Sequence, residues 1–319
     1  MTEVSKKNRI EKIVAEAERN GKGNASAEKK LSAEIREAID STPELFPEKA
    51  VVACQGTEGA FSQTACERLF KHPEIVYFST FESVFSAVDK GLCQYGIVPV
   101  ENSTAGSVNA VYDRMLSHDF KIVRSARMRV GHSLLVNPGT ELSDIKIIYS
   151  HQQALSQCSE LLQELKDVKT IPCANTAEAA KMLAESGSKE AAAIASPDCA
   201  KLYGLTCLAK EIQDSDNNYT RFICISKKTE IYPGADRTSL MTILPHKPGA
   251  LYQLLGKFYE QEINLNKLES RPLPGKNFEF MFYFDLDTPV YSEGFLKLMD
   301  ELPEMCEEFT YLGSYTEII

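Results

Sequence analysis

The chain has 319 residues, of which 43% are hydrophobic and 25% charged. That supports two or three packed domains and excludes collagen-like, coiled-coil-only and wholly disordered chains. Thirty-five Lys and Arg against 45 Asp and Glu give a formal net charge of −10, so nucleic acid and anionic membranes repel the chain at long range and neither is expected as a partner.

Residues 1–48 are rich in Ala, Glu and Lys. Two thin apolar stripes at helical spacing, Ile10-Ile13-Val14-Ala17 and Leu31-Ile35-Ile39, are parted by Gly21-Lys22-Gly23-Asn24. They predict a short helical arm lying on another surface, or a loosely ordered arm, closed by Pro43 and Pro47. Met1–Asn20 is charged throughout, with no apolar signal segment, and no apolar run in the chain reaches the roughly 20 residues that cross a bilayer.

From Val51 the texture changes. Val51–Cys54 reads as a buried strand, 61–70 as a helix and Ile75–Phe78 as a strand. Ser79 with Glu82 suggests a capping box that opens a helix to about Lys90, and Gly96–Val100 is a third strand. Continuous apolar strands separated by helices predict a parallel sheet covered on both faces. The pattern recurs, with strands at Ile122–Arg129, Ser133–Val136, Ile147–Tyr149 and Ala191–Ala195, and helices near 151–166, 176–186 and 197–203. Phe222–Ile225 is a last strand. Residues 50–229 therefore read as α/β in two lobes around a cleft.

Residues 230–236 form a linker. Beyond it come a strand (Ser239–Leu244), a helix opened by Pro248-Gly249, strands at Leu265–Ser270 and Phe280–Leu286, a helix at Phe295–Leu302 and a strand at Phe309–Ile319. This βαββαβ order over 237–319 predicts a ferredoxin-like unit.

Nine Cys occur without a C-x-x-C pair, inside apolar runs (Cys54, Cys173, Cys224) or helical patterns (Cys66, Cys158, Cys199), as reduced cysteines do in a cytoplasmic protein. The five His have no partner at ligand spacing, so no metal site is expected.

Five stretches could carry chemistry. Gly56-Thr57-Glu58-Gly59-Ala60-Phe61-Ser62 lies between a strand and a helix, where backbone N–H groups can meet an anion; on spacing alone it reads first as an ordinary turn. Val98-Pro99-Val100-Glu101-Asn102-Ser103-Thr104 ends a strand where open α/β sheets bind ligands, and is equally readable as a capped turn. Tyr149-Ser150-His151-Gln152 sits at another strand end, where a lone His more often caps or packs than shuttles protons. Asn217-Asn218-Tyr219-Thr220-Arg221-Phe222 delivers Thr220 and Arg221 to a strand start; adjacent strand residues face opposite ways, so the two need not touch one ligand. In the last unit, Gly249 at a helix start could free N–H groups for an amino-acid carboxylate, and Glu269 could meet an ammonium. The same residues could instead serve tight packing and a solvated strand face.

Together these stretches are far more specific than any one. From about residue 50 to 319 the chain resembles prephenate dehydratase followed by its regulatory ACT domain. The matching pieces fall in family order: Gly56-x-x-Gly59-Ala60-Phe61-Ser62, Val98-Pro99-Val100-Glu101-Asn102-Ser103, Tyr149-Ser150-His151-x-Gln153-Ala154, Thr220-Arg221-Phe222, Pro248-Gly249-Ala250-Leu251 and Glu269-Ser270-Arg271-Pro272. Gln152 stands where the family usually has Pro.

The resemblance implies a two-lobed, periplasmic-binding-protein-like catalytic domain at 50–229, an ACT domain at 237–319, and a helical arm at 1–48. It implies a lyase that converts prephenate to phenylpyruvate, water and CO2 in phenylalanine biosynthesis, with no metal or redox cofactor. Thr220 matches the family's essential Thr and would donate to the departing oxygen; Ser62, Asn102, Ser103, Thr176 and Arg221 would bind substrate, Arg221 being open to the alternative of orienting the loop from the far face. Phenylalanine would act as effector at Gly249, Ala250, Leu251, Glu269, Ser270 and Arg271, usually across a subunit interface, so a homodimer or homotetramer is expected. Some relatives carry chorismate mutase ahead of this domain; residues 1–48 lack its pattern of basic residues, and no mutase activity is expected. The rival readings are an arogenate dehydratase, a non-catalytic amino-acid sensor and an oligomeric scaffold.

Overall fold

A computed structural model describes residues 30–273, 275, 279–288 and 290–319. The stripe at Ile10–Ala17 and most of the loop after Leu273 lie outside them. Among the described residues the chain forms three sheets.

The first lobe is built on a seven-stranded sheet ordered Glu317–Ile318, Lys121–Arg129, Tyr219–Ser226, Tyr95–Asn102, Lys49–Gln55, His72–Phe78, with Gly106–Ser107 paired to Tyr95–Asn102. The expected parallel pairing holds where it was read: Lys49–Gln55 runs parallel to His72–Phe78 and to Tyr95–Asn102. Tyr219–Ser226 runs antiparallel to both of its neighbours, because it returns from the second lobe rather than through a local helical crossover. One face packs Val52, Cys54, Ile97 and Cys224 on the helix Phe61–Leu69. The other packs Ala53, Val98 and Ile223 on the helices Phe81–Asp89 and Asn109–Met115. The cap of Phe81–Asp89 is Thr80, not Ser79: its hydroxyl accepts from Ser83 N at 3.2 Å.

The second lobe has a five-stranded sheet ordered Thr206–Ala209, Ser133–Val136, Ala191–Ala195, Ile147–His151, Lys169–Cys173. The first and last are short edge strands that the sequence hid. Lys169–Cys173 is polar and carries Pro172, which an edge tolerates and a central strand does not. The helix expected at 151–166 breaks at Cys158 into Gln152–Gln157 and Ser159–Glu164. Two chain crossings join the lobes and bond to each other: Val130 N donates to Asn218 O at 2.7 Å, and Asn218 Nδ2 donates to Val130 O at 3.1 Å.

The C-terminal unit is a four-stranded antiparallel sheet ordered Asn264–Pro272, Phe280–Asp287, Arg237–Ile243, Glu308–Tyr315. Its helices Ala250–Glu260 and Glu293–Glu301 cover one face, together with Ile35 and Ala38 of the helix Leu31–Ser41. The other face, with Met281, Tyr283, Leu312 and Tyr315, is buried against the first lobe. The expected single strand Phe309–Ile319 instead ends at Tyr315, and Glu317–Ile318 crosses over to pair with Lys121–Arg129. Gly313 makes this close approach feasible. Its φ is +139°, and a Cβ there would lie 2.2 Å from Ile122 O.

Candidate active site

A cavity of about 380 Å³ opens between the two lobes, within the size range of small-molecule sites. From the first lobe Gln55, Ser62, Asn102 and Thr220 line it; from the second come His151, Gln153, Gln157, Asn175 and Thr176, and His132 adjoins the crossing. Phe61, Phe81, Val108 and Phe222 make its apolar wall.

Thr220 and Asn102 meet because of a β-bulge. Thr220 pairs with Asn102 and Arg221 with Glu101, but Phe222 pairs with Pro99, so Val100 is an extra residue. Strict alternation from Pro99, which lines the cavity, would turn Asn102 away. The extra residue shifts the phase: Val100 lies in the core on the far side, Glu101 also faces that side, and Asn102 points into the cavity.

The hydrogen bonds around Asn102 fix the direction of each donor. Its Oδ1 accepts from Thr104 N (3.1 Å), Ala105 N (2.9 Å) and Thr104 Oγ1 (2.7 Å), so the other end of the amide is the donor. Its Nδ2 donates to Asn218 Oδ1 (2.8 Å), Tyr219 O (3.2 Å) and Thr220 Oγ1 (3.0 Å). Thr104 Oγ1 in turn accepts from Gln157 Nε2 at 2.6 Å, which leaves Gln157 Oε1 to accept from Asn218 Nδ2 (3.2 Å) and His132 Nε2 (3.0 Å). Thr220 Oγ1 therefore enters this chain as an acceptor, and its own hydrogen is available to an oxygen in the cavity.

Burial disfavours the charged form of both histidines that line the cavity, His132 and His151. His132 is 2% exposed, and burial lowers its pKa despite the Gln157 hydrogen bond. Because Gln157 Oε1 can only accept, His132 carries its hydrogen on Nε2. Burial also lowers the pKa of His151. Its Nδ1 caps the helix Gln152–Gln157 by accepting from Gln153 N at 3.4 Å, so the neutral ring carries its hydrogen on Nε2.

The remaining predicted residues divide. Ser62 and Thr176 line the cavity at the first turns of the helices Phe61–Leu69 and Thr176–Ser186, the second capped by Asn175 Oδ1 on Glu178 N at 2.8 Å. Both helix starts turn partial positive charge toward the cavity.

Arg221, expected on the substrate, is corrected. It points to the opposite face and pairs with Asp285 of the C-terminal unit. Burial disfavours its charge, but the buried Asp285 carboxylate beside it outweighs this and raises its pKa above the ordinary arginine value. Ser103 is corrected too: it is exposed outside the cavity, and its hydroxyl donates to Asn217 O at 2.6 Å, bracing the loop. Gly59 serves lobe packing. Its φ is +88°, and a Cβ there would lie 2.9 Å from Cys199 Sγ.

Of the residues expected to hold an effector, Gly249 adopts φ +84° just before the helix that Ala250 and Leu251 begin. Glu269 and Arg271 are engaged by the first lobe: Glu269 Oε2 accepts from Ser107 Oγ at 2.5 Å, and Arg271 Nη2 donates to Asp113 Oδ1 at 2.8 Å. Ser270, between them on the strand, is exposed on the alternate face.

Sequence reasoning missed Gln157, His132 and Gln55, and gave Thr104 no role of its own. Their types are unremarkable in isolation; only the crossing of the two lobes brings them together.

Comparison with known proteins places the chain in a family. The prephenate dehydratase family profile matches residues 52–230. Arogenate dehydratase/prephenate dehydratase 2 of Arabidopsis thaliana is 37% identical over 276 residues, covering 83% of this chain and 72% of the relative. Prephenate dehydratase of Arthrobacter aurescens, solved in complex with L-Phe, is 30% identical with a TM-score of 0.77, covering 83% of this chain and 89% of that one. GqqA, described as a novel type of quorum quenching acylase, is 32% identical with a TM-score of 0.75, covering 83% and 97%. The profile match across both lobes and the 37% identity to a relative make this chain a member of the prephenate dehydratase family.

Proposed function

We propose that the chain is a prephenate dehydratase acting in phenylalanine biosynthesis, with Thr220 as its catalytic hydroxyl. The observation that carries the reading is the orientation of Thr220: Asn102 occupies its oxygen as an acceptor and leaves its hydrogen to a cavity ligand. Prephenate carries a ring carboxylate, a side-chain carboxylate and a ring hydroxyl. Loss of CO2 and of the hydroxyl, as water after one protonation, makes the ring aromatic, which drives the reaction. A Thr hydroxyl is a weak acid, so its part is to stabilise charge developing on the departing oxygen. Ser62 and Thr176, each at a helix start, are assigned to the carboxylates; Asn102 holds Thr220 in place.

We assign residues 50–229 to catalysis, 237–319 to an ACT domain that takes phenylalanine, and 1–48 to an arm, its described helix lying on the C-terminal unit. Gly249–Leu251 and Ser270 are assigned to the effector; Glu269 and Arg271, already engaged by the first lobe, are assigned to transmission. Tyr252, Tyr259, Leu268 and Phe280 are exposed apolar side chains on this unit, which supports a second copy there and thus a homodimer or homotetramer. Nine free cysteines support a reducing, cytoplasmic setting. Among the described residues no helix is long and apolar enough to cross a membrane.

The test is turnover by the purified chain of prephenate, arogenate and an N-acyl homoserine lactone, with and without phenylalanine. Phenylpyruvate from prephenate, at a rate that phenylalanine changes, is the expected result. Faster turnover of arogenate would reassign the substrate. Turnover of the lactone alone would overturn the lyase reading.

A further inference from the structure

The strand that carries Thr220 is held from behind by the C-terminal unit. Thr220 and Arg221 face opposite sides of Tyr219–Ser226, one toward the cavity and the other toward the C-terminal sheet. Arg221 is 8% exposed and Asp285 fully buried. The guanidinium pairs with Asp285 and donates through Nη2 to Tyr315 Oη at 2.8 Å. Asp285 Oδ1 accepts from Ser239 Oγ at 2.6 Å and from Tyr315 Oη at 2.9 Å. Ser239, Asp285 and Tyr315 come from three different strands of the C-terminal sheet, so the socket exists only when that sheet is assembled. Asn102 is backed in the same way. Its neighbour Glu101 accepts from Lys267 Nζ at 2.7 Å, and Lys267 also donates to Ser107 Oγ at 2.7 Å.

On one side, Lys121–Arg129 pairs with this end of the strand without a break from Tyr219 to Cys224, so the ladder sets its backbone register there; the other side is weaker. The bulge at Val100 interrupts its pairing with Tyr95–Asn102 immediately after Arg221, which leaves two residue pairs before the chain turns to the other lobe. A buried ion pair adds little net stability over an apolar pair of similar volume, so its value here is to specify a position.

We propose that Asp285, together with Ser239 and Tyr315, is a positioning element for the dehydration: it anchors Arg221 and so fixes where the Thr220 hydroxyl sits, making the C-terminal sheet a structural part of the active site. This rests on Thr220 being the catalytic hydroxyl. A ligand bound to the C-terminal unit would then reach turnover through kcat.

The experiment compares Asp285→Asn and the double variant Arg221→Met with Asp285→Leu, using Thr220→Val as reference. Each is measured with prephenate, per mole of protein shown to be folded by its unfolding transition. Asp285→Asn is expected to lower kcat about 10- to 100-fold, the cost of a misplaced group, with KM changed by less than about twofold. The double variant leaves no buried charge unpaired. It is expected to fold and to remain as slow, which keeps the test decisive if Asp285→Asn does not fold. Recovery of wild-type kcat in the double variant would overturn the proposal, since the pair would then serve only its own burial. So would an Asp285→Asn variant of lower melting temperature and unchanged kcat. Full turnover by Thr220→Val would refute the assignment of Thr220 and, with it, the positioning role.

Discussion

The two walls of the cleft are built on different principles. On the first-lobe wall, side chains bond to side chains: Gln157 reaches across to Thr104, Thr104 bonds Asn102, and Asn102 bonds Thr220. On the second-lobe wall, polar side chains bond mainly to backbone: His151 and Asn175 cap helices, and Thr176 occupies the first turn beside them. The first arrangement fixes one hydroxyl in one orientation. The second presents a field of N–H groups suited to an anion but exacting about no single atom. Under the proposed function bond-breaking needs the former and carboxylate binding tolerates the latter, so variants of Thr220 and of Thr176 should separate kcat from KM.

The largest effect is expected at Thr220. Thr220→Val keeps the shape and removes the donor, and kcat should fall about 100- to 1000-fold with the unfolding midpoint little changed. Equal kcat in the variant would end the distinction between the walls. Thr176→Val tests the other wall. It should raise KM for prephenate about tenfold, equivalent to ~1.4 kcal/mol, while kcat stays within about threefold. A loss of kcat at constant KM would show that the second wall also takes part in the chemical step.

A smaller effect concerns pH. His132 and His151 have pKa values lowered by burial, so between those values and the unfolded value of about 6.5 the unfolded chain binds more protons than the folded one. Their contribution to stability is complete above about pH 6.5 and is lost as pH falls through the folded pKa. The urea midpoint should therefore drop between pH 7.5 and 5.5, and His132→Gln should flatten that drop. An unaltered slope would mean that His132 binds a proton in the folded state as readily as in the unfolded one.

Much of the fold was legible from local pattern. Ser133–Val136, Ala191–Ala195 and Thr176–Ser186 fall where apolar runs and helical spacing put them, because each buries its own apolar side chains. The edge strands Lys169–Cys173 and Thr206–Ala209 did not announce themselves; edge pairing needs no apolar face. The crossover of Glu317–Ile318 was also hidden, since two residues carry no periodicity and their partner lies almost 200 residues back in the chain.

The site divides in the same way. The sequence by itself determined the family, the two-lobed architecture and the βαββαβ unit, and it was the resemblance that singled out Thr220, since these rest on motifs and patterns local to the chain. It also determined that Thr220 and Arg221 face apart, because period-two alternation is local. Only the tertiary structure decided that Asn102 meets Thr220, since a one-residue bulge resets the phase of its strand. Only the tertiary structure decided between substrate and far face for Arg221, giving it Asp285 as partner, and joined Gln157 and His132 to the hydrogen-bond chain. Those contacts lie between segments far apart in sequence, and their free energy is gained only when the lobes and the C-terminal sheet have closed on one another.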